Sequence, residues 1–182
     1  MILHGTILFV TATLVLCPGI GRSQERALGE YQVKAAFLYN FTQFVSWEGE
    51  LPNDTSVGFK IGIYGTDPFG SVLDSLIKDE RVGALPIHVI RSTEVRRLDS
   101  CQIVFVTGSK IGDVQLDAVL DRLRRPGTLL VGEQKGFAEQ GGAIELIVEK
   151  SRVNFIINMD SVRGAGLDAS SKLQRVAKQV LD

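Results

Sequence analysis

Cysteine and histidine are almost missing from this 182-residue chain, which holds two of each: Cys17 and Cys101, His4 and His88. His88 has no Cys, Asp or Glu beside it at ligand spacing, so it reads as structural and not as a metal ligand. It also lies inside a β-rich run, not at a loop or strand end, which excludes a Ser–His–Asp arrangement built on it. Ser171 and Lys172 are neighbours in a helical segment and do not face each other, and Glu133 with Glu139 is only a weak carboxylate pair. No basic block occurs, nor aromatic residues interleaved with Arg or Lys, so nucleic acid is excluded as a partner. The 20 basic and 21 acidic residues leave a formal charge of −1. Neither a G-x-G-x-x-G fingerprint nor a P-loop Gly-Lys-Ser/Thr is present, which argues against a nucleotide site. No catalytic, cofactor or metal constellation emerges, and binding is the better functional class.

Long hydrophobic runs are also lacking. The apolar segment Ile7–Cys17 spans about eleven residues, too short and too Thr-broken to cross a bilayer. Gly21-Arg22-Ser23 then places small residues at −3 and −1 of a cut before Gln24, the pattern of a secretory signal peptide over residues 1–23. Two rivals remain: a lipid-modified Cys17, disfavoured by Leu16 before it, and an uncleaved anchor. Cleavage would remove Cys17, His4 and Arg22, taking the charge from −1 to −2 and leaving Cys101 as the sole thiol. Cys101 opens a very apolar run and reads as a small buried hydrophobe, with an intermolecular bridge open to it if that strand end is exposed. The remaining residues 24–182 suffice for one domain with a substantial core.

What is present is alternation of strand and helix. Glu30–Trp47 places Val33, Ala36, Phe37, Phe41, Phe44 and Val45 on one stripe at helical spacing, with Asn40 in its middle. Asn40 is therefore expected to be buried and bonded to a loop backbone. Phe59–Tyr64 reads as a strand; Asp67 as N-cap and Pro68 at the first helical position open a helix with Phe69, Val72, Leu73, Leu76 and Ile77 inward. Leu85–Arg91 is a second strand, Arg91–Arg97 a short helical turn, and Cys101–Thr107 a central strand covered on both faces. Asp113 caps a helix carrying Leu116, Val119, Leu120 and Leu123, which Pro126 and Gly127 end. Near the C-terminus, Met159–Leu167 forms a short helical turn. Ser171 with Gln174 then matches a capping box opening a last helix, whose seam is Leu173, Val176, Ala177, Val180 and Leu181.

The chain is organised around Gly127–Asn158. Leu129–Val131 is a buried strand end, and Ala143–Glu149 and Arg152–Asn158 form a hairpin about Lys150-Ser151. Between them lies a loop with Gly132, Gly136, Gly141 and Gly142 and one large apolar residue, Phe137, which reads as a shaped surface without nucleophiles. The expected architecture is a three-layer α/β/α sandwich with a mixed, mostly parallel sheet, a C-terminal β-hairpin and helices at both ends of the chain. Trp47 either closes the core or belongs to a partner-facing patch.

Six segments resemble the YfiR family of small periplasmic regulators: YQVKAAFLYNFTQFVSW at 31–47, YGTDPFG at 64–70, CQIVFV at 101–106, LLVGEQKGFAEQGGAI at 129–144, NFIIN at 154–158 and AGLDASSKL at 165–173. The resemblance implies a non-enzymatic periplasmic protein without cofactor. It would bind the periplasmic sensor region of a membrane-bound diguanylate cyclase and repress cyclic-di-GMP synthesis. An outer-membrane lipoprotein that sequesters it and a homodimer are further implied partners. Two positions depart from the family: the cysteine pairs of redox-controlled members are missing, and Glu48 follows Trp47 where proline is common. On this footing Trp47, Phe137, Gly141 and Gly142 are expected in a partner-binding face, with Asn40, Asp67 and Cys101 structural. The rival reading is a periplasmic small-molecule sensor with a cleft beside Gly132–Gly142, serving a transport or kinase system.

Overall fold

A computed structural model describes residues 20–47, 51, 54–107 and 116–182. In chain order it comprises α1 (Ile20–Phe44), β1 (Val45–Ser46), β2 (Phe59–Tyr64), α2 (Ser71–Ile77), β3 (Arg81–Val82), β4 (Leu85–Ser92) and a 3-10 turn (Val95–Leu98). These are followed by β5 (Ile103–Val106), α3 (Leu116–Leu123), β6 (Leu129–Gly132), β7 (Ile144–Glu149), β8 (Arg152–Asn158), α4 (Met159–Gly164), β9 (Asp168–Ala169), α5 (Ser171–Val176) and β10 (Gln179–Leu181). Asp113 and the proposed leader before Ile20 lie outside the described residues.

Eight strands form one sheet in the order β10-β8-β7-β6-β5-β2-β4-β3. The run β4-β2-β5-β6-β7 is parallel throughout, while β7 and β8 pair antiparallel and β10 joins β8 in parallel. Alternation along the central strands divides the core in two. Ile61, Ile63, Ile103, Phe105, Leu129 and Val131 point into the larger cluster, with Leu38 and Phe41 of α1, Leu73 of α2 and Leu173 of α5. Val104, Val106 and Leu130 point the other way, against Val119, Leu120 and Leu123 of α3 and Leu98 of the 3-10 turn. That is the expected α/β fold, with helices against both faces of a mixed sheet. Edge-to-face aromatic pairs stitch the larger cluster: Phe69–Phe105 at 4.9 Å, Phe41–Phe155 at 5.6 Å and Trp47–Phe59 at 5.1 Å between centroids, each worth about 1 kcal/mol beyond burial.

The β7–β8 hairpin turns at Lys150 (φ 49°) and Ser151 (φ 61°), the paired positive φ values of a two-residue type I′ turn. A separate ribbon, β1 with β9, ties the end of α1 to the segment before α5, and Ser170 N donates to Phe44 O at 2.9 Å.

Three sequence expectations are corrected. Asn40 is exposed, because the inward face of α1 is Lys34, Ala35, Leu38, Phe41 and Thr42, while Val33 and Phe44 are 44% and 37% exposed. Periodicity misplaces the stripe because Lys34 and Thr42 are buried with their polar atoms satisfied, Thr42 Oγ1 by donating to Tyr39 O at 2.7 Å. Asp67 caps no helix: α2 begins at Ser71, and Asp67 Oδ1 accepts from Phe69 N at 2.8 Å in a local turn while Oδ2 pairs with Arg91 at 2.6 Å. The last helix also stops at Val176. Ala177 is extended, Lys178 N donates to Phe155 O at 2.9 Å, and Val180 and Leu181 lie in β10. The cap of α5 is Ser170, whose Oγ accepts from Leu173 N at 3.3 Å; it is not Ser171.

Candidate partner-binding surface

The glycine loop after β6 is anchored to the core by Phe137. Phe137 is fully buried between Gly132 and Gly142, where an added Cβ would stand 2.4 Å and 2.0 Å from its ring. Glu145, 3% exposed, accepts from the backbone N–H of Gly136 and of Ala138, each at 3.2 Å. Asn158 Nδ2 donates to Ala138 O at 2.8 Å, and Arg124 Nη2 donates to Gln140 O at 3.0 Å beside Gly141. Gly141 adopts φ 92°, a conformation strained for any side chain, and its Cβ would displace Arg124 Nη2, 2.2 Å away. Trp47 is also interior, 4% exposed, and its Nε1 donates to Gly127 O at 3.0 Å. The expected partner-facing placement of Trp47 and Phe137 is therefore corrected. Both aromatics fill the core, and Gly141 and Gly142 exist to admit Arg124 and Phe137. Glu48 lies outside the described residues.

Cys101 is 2% exposed beneath Gly62 and Leu98, and burial pushes its thiol up to about 11. No outward strand end is offered for a bridge between chains. His88 is exposed on β4 and has no such cluster around it. Among the described residues no group of three or more His, Cys, Asp or Glu could hold a metal.

A charged cluster that sequence reasoning missed joins α1 to the C-terminal end of β6. Lys34, 3% exposed, donates to Glu133 Oε2 at 2.6 Å and to Glu30, and its ammonium lies 4.6 Å from the Tyr31 ring centroid. Tyr31 Oη lies 3.3 Å from both Glu133 oxygens. Burial opposes the Lys34 charge, but hydrogen bonds from Glu133 and Glu30 outweigh it and hold its pKa above the ordinary value. Burial, then Glu133, raises that of Tyr31. The cluster borders a groove of about 730 Å³ that also receives Lys135, Glu139 and Glu145. The i,i+4 pair Glu30–Lys34 was the available sequence signal.

The free surface lies elsewhere. Among the described residues the exposed large apolar side chains are Leu28, Val33, Phe44, Val57, Val148, Val176 and Val180. All but Val57 lie on α1, on the β7–β8 hairpin, or on α5 and β10. Phe37, Phe41 and Phe44 of α1, Phe155 of β8 and Leu173 and Val176 of α5 enclose an apolar groove of about 260 Å³, with Asn40 and Lys172 at its margin. One turn back along α1, Val33 lines a second groove with Val148 and Val153, which pair directly across the hairpin. Val176 is 70% exposed and Phe44 37%. An exposed apolar strip of this kind marks an interaction surface.

Sheet and helices together define an α/β protein with a core on each face of a mixed sheet. The chain belongs to the YfiR/HmsC-like family, which it matches over residues 31–178. That family comprises periplasmic regulators of diguanylate cyclase signalling and is regulatory, not catalytic. No curated protein matches the sequence. Two solved structures align at 10% identity. One is a conserved domain protein from Vibrio cholerae O1 biovar El Tor, with TM-score 0.47 over 82% of this chain and 60% of that one. The other is the ABC domain in complex with L-Trp from Streptococcus pneumoniae, with TM-score 0.43 over 70% and 56%. The chain thus spans less than two thirds of either. Among the described residues no helix is long and apolar enough to cross a membrane.

Proposed function

We propose that this chain is exported by a leader at residues 1–23, binds the periplasmic sensor region of a membrane diguanylate cyclase and lowers cyclic-di-GMP synthesis. The observation that carries the reading is the exposed apolar groove of α1, β8 and α5 in a member of this regulatory family. A repressor must bind one state of its target better than the other, and only that difference moves the equilibrium. A hundredfold shift takes about 2.7 kcal/mol, within reach of one or two desolvated aromatic contacts such as Phe44 and Phe37. An outer-membrane lipoprotein competing for the same face would relieve repression, and a homodimer would cover or extend it. Affinity capture from detergent-solubilised membranes with the tagged, exported protein tests the reading. A membrane diguanylate cyclase is expected in the wild-type eluate and reduced with Val176→Asp; its absence from both rejects the proposal.

The charged groove around Lys34 and Glu133 favours a second reading, a small-molecule sensor. There a polar ligand would raise the melting temperature progressively with the logarithm of its concentration above Kd, with no membrane partner captured.

A further inference from the structure

The margins of the apolar groove carry one sign of charge. Lys172 lines it, and Arg175 follows three residues on along the exposed side of α5. Lys150 and Arg152, with Glu30, line a second groove nearer the start of α1, beside Val33, Val148 and Val153. Among the described residues none of these four cations has a carboxylate partner, whereas Lys34, Arg91, Arg124, Arg125, Arg163 and Lys178 are all in ion pairs. Residues 31–44 of α1 and 171–176 of α5 contain neither Asp nor Glu, and Glu30, which lines the groove beside Val33, is held by Lys34. Glu30 and Glu149, the nearest acids in sequence, are engaged by Lys34 and Lys178.

Shape narrows the occupant further. From Phe37 to Phe44 the α1 wall is about 11 Å long, two helical turns. The floor is concave, between two helices over Phe155, and not a protruding apolar ridge of the sort that enters a lipid surface. Such a groove accepts apolar side chains at i, i+3 or i+4 and i+7 of a docked helix. We infer that the groove formed by α1, β8 and α5 receives an amphipathic helix of a partner protein whose apolar stripe is flanked by Asp and Glu. This deepens the regulator reading and rests on it for the partner's biological setting. The aromatic floor supplies affinity, and the four cations supply choice of partner and speed of encounter, weakening with salt.

The test uses the exported full chain and two synthetic helical peptides of about 18 residues, five turns, with Leu at i, i+3, i+4 and i+7 and either Glu or Lys on the flanks. Fluorescence anisotropy should show the Glu peptide binding at least about tenfold tighter than the Lys peptide. Lys172→Glu with Arg175→Glu should reverse that preference, and Val176→Asp should abolish binding of both. Circular dichroism confirms that the variants fold. Equal binding of both peptides, no binding of either, or Glu-peptide binding unaffected by Val176→Asp overturns the inference. So does preferential binding of phosphatidylglycerol vesicles through the same residues, or self-association of the chain that Val176→Asp disrupts. Failure here is separable from failure of the regulator reading. If Val176→Asp changes cellular cyclic-di-GMP while the Glu peptide does not bind, the regulator stands and the acidic helix falls; if the peptide binds as expected while the chain leaves cyclic-di-GMP unaltered, the reverse holds.

Discussion

The ring of Phe137 lies so close to Gly142 that a Cβ on that glycine would stand 2.0 Å from its Cε1 atom and 2.8 Å from the Phe137 carbonyl oxygen. No rotation of the ring relieves the second contact, since the obstruction is backbone. Gly142→Ala should therefore cost about 2–3 kcal/mol by overpacking, read as a lower urea midpoint at unchanged slope. Gly164→Ala, where nothing lies within 4 Å, is the control and should be within about 0.5 kcal/mol of wild type.

Lys34 holds α1 to β6 through Glu133, and the side chains are 4% and 10% exposed. Lys34→Met removes the buried ammonium that donates to Glu133 and should destabilise by about 2 kcal/mol, while Lys34→Met with Glu133→Gln should recover part of that loss. The folded-state pKa values of Lys34 and Tyr31 are both raised. Each group therefore contributes stability that is complete below its unfolded pKa and lost as pH rises through the folded value. Unfolding midpoints should hold level to about pH 9 and fall above pH 10, more gently in Lys34→Met.

Cys101, buried and with its thiol pushed up to about 11, should be inert in the native protein at pH 8. Labelling with a disulfide reagent should run at the rate of global unfolding and become fast in urea. Prompt labelling of the native chain, or a disulfide-linked dimer on a non-reducing gel, would contradict its placement.

Two adjacent serines separate the sequence reading of the last helix from its structure. Ser170→Ala removes the observed cap of α5 and should cost about 1 kcal/mol; Ser171→Ala should cost little. Thermal denaturation of the pair distinguishes them.

The strands are legible because β-branched and aromatic residues concentrate in them. Phe59–Tyr64 and Arg152–Asn158 match to the residue, and the Lys150-Ser151 turn falls where two polar residues interrupt two such runs. Helix faces were less legible wherever a polar residue is buried with a partner far away in sequence. Lys34 is inward because Glu133, ninety-nine residues on, waits for it, and hydrophobicity scores it as outward. The end of α5 was misread because Leu173, Val176, Ala177, Val180 and Leu181 fit a helical seam, yet the free edge of β8 captures residues 179–181 as a strand. For the site, the expectation of an outward Phe137 fails, because the ring is fully buried. Density of glycine signalled close packing around Phe137, and the true exposed strip was hidden in α1 residues assigned to the core.

The account depends most on the exposed groove acting on cyclase output. The direct measurement is cellular cyclic-di-GMP in the native host lacking the chromosomal gene and supplied with wild type, Phe44→Asp or Val176→Asp. Periplasmic levels of each protein should be matched, and each should be folded by circular dichroism. Wild type should lower cyclic-di-GMP, and both variants should leave it near the level without the protein. Equal lowering by all three, or no lowering by wild type, would contradict the account.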